Sequence, residues 1–172
     1  RGTAYLVQIM NDYDLLPVHN FRFGSHVDAP QINGDVWEQR FTQGLPDGCW
    51  YGCTLGCSHT VEGYTLRTGP HQGQQVLVDG PEYETIAGVG SNCGIFDPDA
   101  ITELNFYCDA YGIDTISFGT GTAFLMECYE AGILDREKTG GLDFRFGNAG
   151  AAIQLLHQMG RGEGFGQIAG LG

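Results

Sequence analysis

Basic residues are scarce in this chain of 172 residues: eight Lys and Arg stand against 21 Asp and Glu, a formal net charge of −13 at pH 7. Nucleic acids and anionic membrane surfaces attract basic patches, so this balance argues against binding to either. The sequence also lacks a run of about 18 apolar residues, the length that a bilayer-spanning helix needs. Its first residues do not have the basic-then-apolar order of a secretory signal, and we expect a cytoplasmic protein.

The composition is that of one globular domain. Hydrophobic residues make up 42% of the chain, and its length allows one sizeable core. The 28 glycines are about twice the usual share, which indicates many turns or a backbone packed closely against a bulky group. The chain opens on Arg1 and closes on the glycine-rich segment 164–172, and we therefore expect a piece of a larger polypeptide.

The pattern of apolar and helix-breaking residues predicts a mainly α-helical domain with an irregular first third and one short hairpin. Alternating apolar residues on either side of a turn at 68–73 predict the hairpin within 58–80. A first helix is predicted from Thr3, as N-cap, to about residue 11, with its apolar side formed by Tyr5, Leu6, Ile9 and Met10. The other helices are predicted near 35–41, 83–89, 98–111, 116–131 and 148–159.

Three of the six cysteines, Cys49, Cys53 and Cys57, lie within nine residues. Their thiols can converge on one point, and the glycines between them let the backbone approach a bulky inorganic centre. An iron–sulfur cluster would need a fourth thiolate from elsewhere, whereas zinc would accept His59. Disulfides are the least favoured of the three interpretations.

The remaining cysteines call for simpler explanations. Cys108 and Cys128 lie among apolar residues and are predicted to be buried small hydrophobes. Cys93 lies in a loop that is close in sequence to a pair of carboxylates, and its role stays open.

Of the five histidines, three lie in polar loops and are expected to be exposed: His26, His59 and His71. His157 is expected to pack beside the apolar stripe of its helix. His19 either lies at the surface or faces a cofactor cavity.

Carboxylates mark two helix starts. Glu82 and Glu84 lie in the segment 80–85 (Gly-Pro-Glu-Tyr-Glu-Thr), and Asp114 lies in the segment 112–117 (Gly-Ile-Asp-Thr-Ile-Ser). Acids are favoured at helix amino termini by the helix dipole, so capping alone explains each of them.

The order of these motifs resembles that of the tungsten-containing aldehyde:ferredoxin oxidoreductase family, over essentially the whole chain. The resemblance is carried by the cysteine cluster, the segments 80–85 and 112–117, Leu-Pro-Val-His-Asn-Phe at 16–21, Gly-Ser-Asn-Cys-Gly-Ile at 90–95, and the segment 123–134. It implies that residues 1–172 are the middle, mainly α-helical domain of a larger enzyme, without its amino-terminal β domain and its carboxy-terminal domain.

The resemblance also implies roles for individual residues. Cys49, Cys53 and Cys57 match three ligands of a [4Fe–4S] cluster whose fourth ligand lies in the carboxy-terminal domain. Three residues separate the first two cysteines here, where the family usually has two. Glu84 matches an acid beside the tungsten that assists proton transfer.

Three further positions match the family's contacts with its pterin cofactor. Asp114 matches an acid that hydrogen-bonds the pterin, and Phe118 and Gly119 fall where the backbone approaches it. The implied cofactors are therefore a tungstopterin, in which two molybdopterins hold tungsten or molybdenum, and the [4Fe–4S] cluster.

The implied function is that of an anaerobic oxidoreductase that converts small aldehydes to carboxylic acids. Electrons would pass through the cluster to ferredoxin or to an electron-transfer subunit, in an oligomer of like or unlike subunits. Two alternatives stay open. One is a reductase of the same family, such as a benzoyl-CoA reductase catalytic subunit. The other is a non-catalytic module stapled by zinc on the three clustered cysteines and His59.

Overall fold

The structure, a computed structural model, describes residues 2–42, 48 and 50–171. Over these residues it is mainly helical with a two-stranded sheet, which confirms the predicted fold class. The helices are α1 (Leu6–Asp12), α2 (Gly34–Arg40), α3 (Tyr83–Thr85), α4 (Pro98–Tyr111), α5 (Thr115–Glu130), α6 (Ala149–Arg161) and α7 (Gly166–Ala169), and the strands are β1 (Thr60–Thr65) and β2 (Gln75–Asp79). None of the helices in this part of the chain is long and apolar enough to cross a lipid bilayer.

The first helix buries only part of its predicted apolar side, on which Leu6 and Met10 are half-buried. Ala4 and Val7 are in the core. Tyr5 and Ile9, by contrast, are exposed. The physical reason is that α1 is entered through a 3₁₀ turn, Gly2–Tyr5, in which residues three apart lie above one another.

The hairpin forms as predicted. β1 and β2 are antiparallel, with Val61 opposite Val78 and Tyr64 opposite Val76. The register shifts between Val61 and Tyr64, where Gly63 adopts a φ of +70° that suits glycine. The hairpin is fastened to α4, because the Asn105 side chain donates a hydrogen bond of 2.6 Å to the carbonyl of Asp79.

The chain after the hairpin is less regular than the predicted helix over 83–89. α3 has only three residues and continues directly into a π-helical turn, Ile86–Gly90, and then a 3₁₀ turn, Ser91–Cys93. The π-helical turn packs against α5, where the backbones of Gly88 and Gly119 meet. Close backbone packing, which the local sequence does not reveal, thus replaces a regular α-helix here.

The three longer helices begin within one residue of their predicted starts. The side chains of Asp97, Asp114 and Asn148 accept hydrogen bonds from the first turns of α4, α5 and α6. α4 ends as predicted at Gly112, which has a φ of +68°. α6 runs on past the predicted stop at Gly160 and ends at Arg161.

A buried carboxylate joins the hairpin to α4. Glu103 is 1% exposed and accepts a hydrogen bond of 2.9 Å from the Tyr64 hydroxyl. It also accepts from the backbone N–H groups of Arg67 and Thr68, and from the Thr68 hydroxyl at 2.7 Å. These donors satisfy a charge that would otherwise be costly to bury.

The same network extends to α6 through His157. Its Nε2 lies 2.8 Å from the Thr68 hydroxyl, and its Nδ1 lies 2.9 Å from the Tyr111 hydroxyl. Because the Thr68 hydroxyl donates to Glu103, it must accept from Nε2–H, so Nδ1 is the acceptor for Tyr111. Burial lowers the pKa of His157, and the neighbouring Arg161 lowers it further. The ring is therefore neutral at neutral pH.

Replacing Glu103 by Ala is expected to destabilise the fold by about 3 kcal/mol, because several buried donors lose their acceptor at once. Urea unfolding would measure the loss. Glu62→Ala is the matched control, because Glu62 is exposed on β1. Similar free energies of unfolding for the two variants would contradict the structural role assigned to Glu103.

The lowered pKa of His157 makes stability depend on pH. The pKa of His157 in the folded state lies below the unfolded value of about 6.5. The neutral ring therefore contributes to the free energy of unfolding above that pH, and this contribution is lost as the pH falls through the folded-state pKa. His157→Gln removes this titration. We expect its free energy of unfolding to fall less than that of the parent protein between about pH 7 and pH 5. An identical fall in both proteins would refute the assignment.

Candidate active site

The two glutamates of the segment 80–85 have different surroundings. Glu82 precedes α3 and is half-buried, and its carboxylate accepts a hydrogen bond from the Thr3 hydroxyl. Glu84 lies within α3 and is exposed, and no hydrogen bond among the described residues engages its carboxylate. Glu84 is thus the member of the pair that a bound group can reach.

Thr3 fixes the start of α3 from across the fold. Its hydroxyl oxygen accepts a hydrogen bond of 2.7 Å from the backbone N–H of Tyr83, while its hydrogen goes to Glu82. The bond satisfies one of the N–H groups that a helix leaves unpaired at its amino terminus. The prediction of Thr3 as the N-cap of α1 is therefore wrong: that place is taken by Tyr5, without a side-chain cap.

Asp114 caps α5 with an exposed carboxylate. Its Oδ2 accepts a hydrogen bond of 2.7 Å from the backbone N–H of Ser117. This bond holds the pKa of Asp114 below its usual range. The carboxylate is therefore charged at neutral pH and can accept hydrogen bonds from an N–H-bearing ligand.

Phe118 and Gly119 lie one turn further along α5, and both are buried. A Cβ on Gly119 would lie 2.5 Å from the carbonyl carbon of Gly88, so the packing admits only glycine there. The close approach at this point is between two stretches of protein backbone. It accounts for Gly119 without any ligand.

A hydrogen bond brings the elements that carry Glu84 and Asp114 together. The hydroxyls of Thr85 and Thr115, which directly follow these two acids, are 2.8 Å apart. Both acids are exposed, so the structure places two accessible carboxylates on adjoining elements. Neither segment shows this arrangement by itself, and the roles that the resemblance implies for the two acids stay predictions.

Cys93 has a structural role in the same contact. Its Sγ donates hydrogen bonds of 3.4 Å to the carbonyls of both Gly88 and Gly119. Burial raises the pKa of this thiol to about 12, so it stays protonated and is a poor metal ligand. Burial likewise raises the pKa of Cys108 to about 12. This thiol therefore stays uncharged in the core, in agreement with its predicted role as a small hydrophobe. Cys128 is half-buried.

The cysteine cluster is described only in part. Cys49 lies outside the described residues, Cys53 is half-buried and Cys57 is exposed. The backbone N–H of Cys53 donates a hydrogen bond of 3.1 Å to the carbonyl of Trp50, and this bond closes a turn. Within the part of the chain that the structure describes, no three His, Cys, Asp or Glu residues form a metal-binding group. Convergence of the three clustered thiols stays a prediction.

The far end of the cysteine loop packs near the start of α3. A Cβ on Gly2 would lie 2.5 Å from the carbonyl oxygen of Cys57, and the Nδ1 of His59 is 2.7 Å from the same oxygen. The backbone N–H of Gly80 donates a hydrogen bond of 2.5 Å to the carbonyl of His59. His59 stacks on Phe41 with ring centroids 4.9 Å apart. It is therefore half-buried, contrary to the expectation that it would be exposed.

His19 lies in an aromatic environment. Its ring stacks on Phe146 at 4.4 Å between centroids and is 5.9 Å from the ring of His26. Burial, and then the neighbouring His26, lower the pKa of His19. His26 stacks on Phe96 and is half-buried, contrary to the expectation, whereas His71 is exposed as predicted.

An apolar cavity of about 450 Å³ lies between α5, α6 and α7. Thr122 borders it with a buried hydroxyl that has no hydrogen-bond partner among the described residues. The larger lining side chains include Phe118, Leu125, Leu155, Met159 and Phe165. Phe118 thus contributes its ring to this cavity.

Sequence reasoning missed the threonines that hold these pieces together. Thr3 is 79 residues from its partner Glu82, and Thr85 is 30 residues from Thr115. A threonine near a helix start has several local uses, so spacing alone carries no signal for such long-range bonds.

The donor chemistry fits the cofactors that the resemblance implies. Exposed carboxylates accept hydrogen bonds from amino and ring N–H groups such as a pterin carries. Thiolates are the ligands that iron–sulfur clusters use, and Cys57 is accessible on its loop.

Comparisons with known proteins give the family. A family model described as aldehyde ferredoxin oxidoreductase, domains 2 and 3, matches residues 1–172. A tungsten-containing aldehyde ferredoxin oxidoreductase of Pyrococcus abyssi is 36% identical over 170 residues, which cover 97% of this chain and 26% of the relative. The tungsten-containing aldehyde ferredoxin oxidoreductase of Pyrococcus furiosus is 35% identical over 166 residues, which cover 96% of this chain and 26% of the relative.

A further relative has a different name. An aliphatic sulfonate oxidoreductase, WOR-like subunit, of Pyrococcus furiosus is 37% identical over 118 residues, which cover 69% of this chain and 18% of the relative. The chain spans about a quarter of the length of the tungsten-containing relatives described above. The match over residues 1–172 shows that the chain belongs to the aldehyde ferredoxin oxidoreductase family, in the region described as domains 2 and 3.

Proposed function

We propose that this chain is part of an oxidoreductase that converts aldehydes to carboxylic acids at a tungsten bis-pterin centre. The observation that carries the proposal is the pair of accessible carboxylates, Glu84 and Asp114, on elements joined by the Thr85–Thr115 hydrogen bond. One carboxylate is free to move protons, and the other is held in place and charged. The family relationship supports the redox class.

In this proposal Asp114 holds the pterin, and the first turn of α5, which leads to the buried Phe118 and Gly119, lies beside it. The Asp114 carboxylate is fixed by the N–H of Ser117 and offers its remaining lone pairs to N–H donors of the cofactor. When bound, the tungstopterin supplies the two-electron redox chemistry that converts the aldehyde. The protein contributes binding, orientation and charge.

Glu84 is the proposed general base. Oxidation of an aldehyde to an acid adds oxygen from water and releases protons, so a carboxylate near the reacting carbon is needed to accept one. Glu84 is exposed on α3 and makes no hydrogen bond with the described residues that would occupy it. Its carboxylate oxygen would take the proton and release it to solvent.

Cys49, Cys53 and Cys57 are the proposed thiolate ligands of a [4Fe–4S] cluster, with a fourth ligand from elsewhere in the enzyme. The loop that carries them ends beside Gly2 and Gly80, close to the segment that leads into α3. Electrons from the substrate would leave through this cluster to ferredoxin or to a partner subunit.

A second candidate differs in substrate. The similarity to the WOR-like subunit of an aliphatic sulfonate oxidoreductase favours testing sulfonates beside aldehydes. Turnover of an alkanesulfonate but of no aldehyde by the full-length enzyme, measured by reduction of a one-electron dye, would reassign the substrate class.

Glu84→Gln in the full-length enzyme is expected to lower aldehyde turnover by about 10²–10⁴-fold, because the amide keeps the size of the side chain but cannot accept the proton. Tungsten, pterin and iron contents should stay near those of the parent enzyme. The matched control is Glu82→Gln, which alters the contact with Thr3 and should keep most activity. Full activity in Glu84→Gln would remove this residue from the mechanism.

Cys53→Ser should abolish or strongly reduce the iron and sulfide bound per chain, because a serine oxygen replaces a soft thiolate poorly. Cys108→Ser serves as the control. Cys108 lies on α4 and is buried in the hydrophobic core, so its replacement should affect only stability. Iron, sulfide and zinc analysis reads out both variants. Equal iron loss would show that the ligands are wrongly assigned, and one zinc per chain without iron would favour the zinc-stapled alternative.

A further inference from the structure

The position of Glu84 is not fixed by its own helix. α3 has three residues, too few to build a rigid helical segment, and the chain then widens into the π-helical turn Ile86–Gly90. The orientation of Glu84 must therefore come from contacts that its neighbours make with other elements.

Both sequence neighbours of Glu84 make such contacts. On one side, the N–H of Tyr83 donates to the Thr3 hydroxyl at 2.7 Å. On the other side, the hydroxyl of Thr85 is 2.8 Å from that of Thr115, and Thr85 is only 7% exposed. The second contact is the more informative one, because Thr115 directly follows Asp114.

The interface between the segment 83–93 and α5 is fixed at two places. Further from the acids, the Gly88 and Gly119 backbones touch and the Cys93 thiol bonds both carbonyls. At the end that carries Glu84 and Asp114, the hydroxyls of Thr85 and Thr115 join α3 to α5 through a side-chain hydrogen bond. Without it the two acids would be aligned only through a glycine contact one helical turn away.

We propose that Thr85 and Thr115 are positioning residues, whose hydrogen bond sets the place of Glu84 relative to the cofactor-binding start of α5. The inference rests on the proposed role of Glu84 as the proton acceptor. A displacement of about 1 Å at a reacting group costs up to about 10²-fold in rate, which makes one hydroxyl–hydroxyl bond consequential.

Thr115→Val in the full-length enzyme tests the proposal, because valine keeps the shape of threonine and removes the hydroxyl. We expect kcat for aldehyde oxidation to fall about 10–100-fold, with KM and the tungsten, pterin and iron contents unchanged. Thr115→Ser, which restores a hydroxyl, should recover most of the rate. If Thr115→Val does not accumulate, Thr115→Ala and Thr85→Val remove the same bond.

Combining the change with Glu84→Gln separates positioning from a general structural role. A residue that acts through Glu84 has nothing left to position in the Glu84→Gln background, so Thr115→Val should cause no further loss there. An equal loss in both backgrounds overturns the inference, as does full activity of Thr115→Val in the parent enzyme. If Glu84→Gln itself stays fully active, the proposed role of Glu84 has failed first.

Thr122→Val is the matched control. Thr122 lies on the same helix and is buried, but its hydroxyl has no partner among the described residues. Its removal should leave kcat unchanged and should not destabilise the fold. A rate loss in Thr122→Val similar to that in Thr115→Val would show that any buried hydroxyl on α5 matters, and would overturn the specific role of the threonine pair.

Discussion

The contact between the backbones of Gly88 and Gly119 is the constraint on which the candidate site depends. The two elements approach so closely that Gly119 has no room for a side chain against the backbone of Gly88, and the Cys93 thiol bonds a carbonyl of each glycine. Glu84 and Asp114 each lie about one helical turn before these glycines. Their proximity is therefore a consequence of backbone packing that leaves both carboxylates at the surface.

The cysteine loop is attached to the same region by a different route. It leads through His59 into β1, and the hairpin is held on α4 by Glu103 and Asn105. Where the cysteine loop enters the hairpin, the carbonyl of His59 accepts a hydrogen bond from the backbone N–H of Gly80. Gly80 begins the segment that carries Glu82 and Glu84. The buried Glu103 thus helps to position the hairpin into which the loop with the clustered cysteines leads.

Features with local causes could be predicted from the sequence, and features with distant causes could not. The caps of α4, α5 and α6 and the hairpin follow from a few adjacent residues each. The π-helical turn and the bond between Thr85 and Thr115 depend on elements that meet only in the folded chain. Only the ordered family motifs point to Glu84 and Asp114 as site residues, because each acid alone is explained by helix capping.

The hydrogen-bonded chain through His157 has a direction. Tyr111 donates to His157, His157 to Thr68 and Thr68 to Glu103, so every hydrogen points towards the same carboxylate. No member can turn around alone, because its neighbour would then face hydrogen to hydrogen or lone pair to lone pair. The negative charge on Glu103 thereby selects a single tautomer of His157, two groups away, and α4, α6 and the hairpin share one collective proton arrangement.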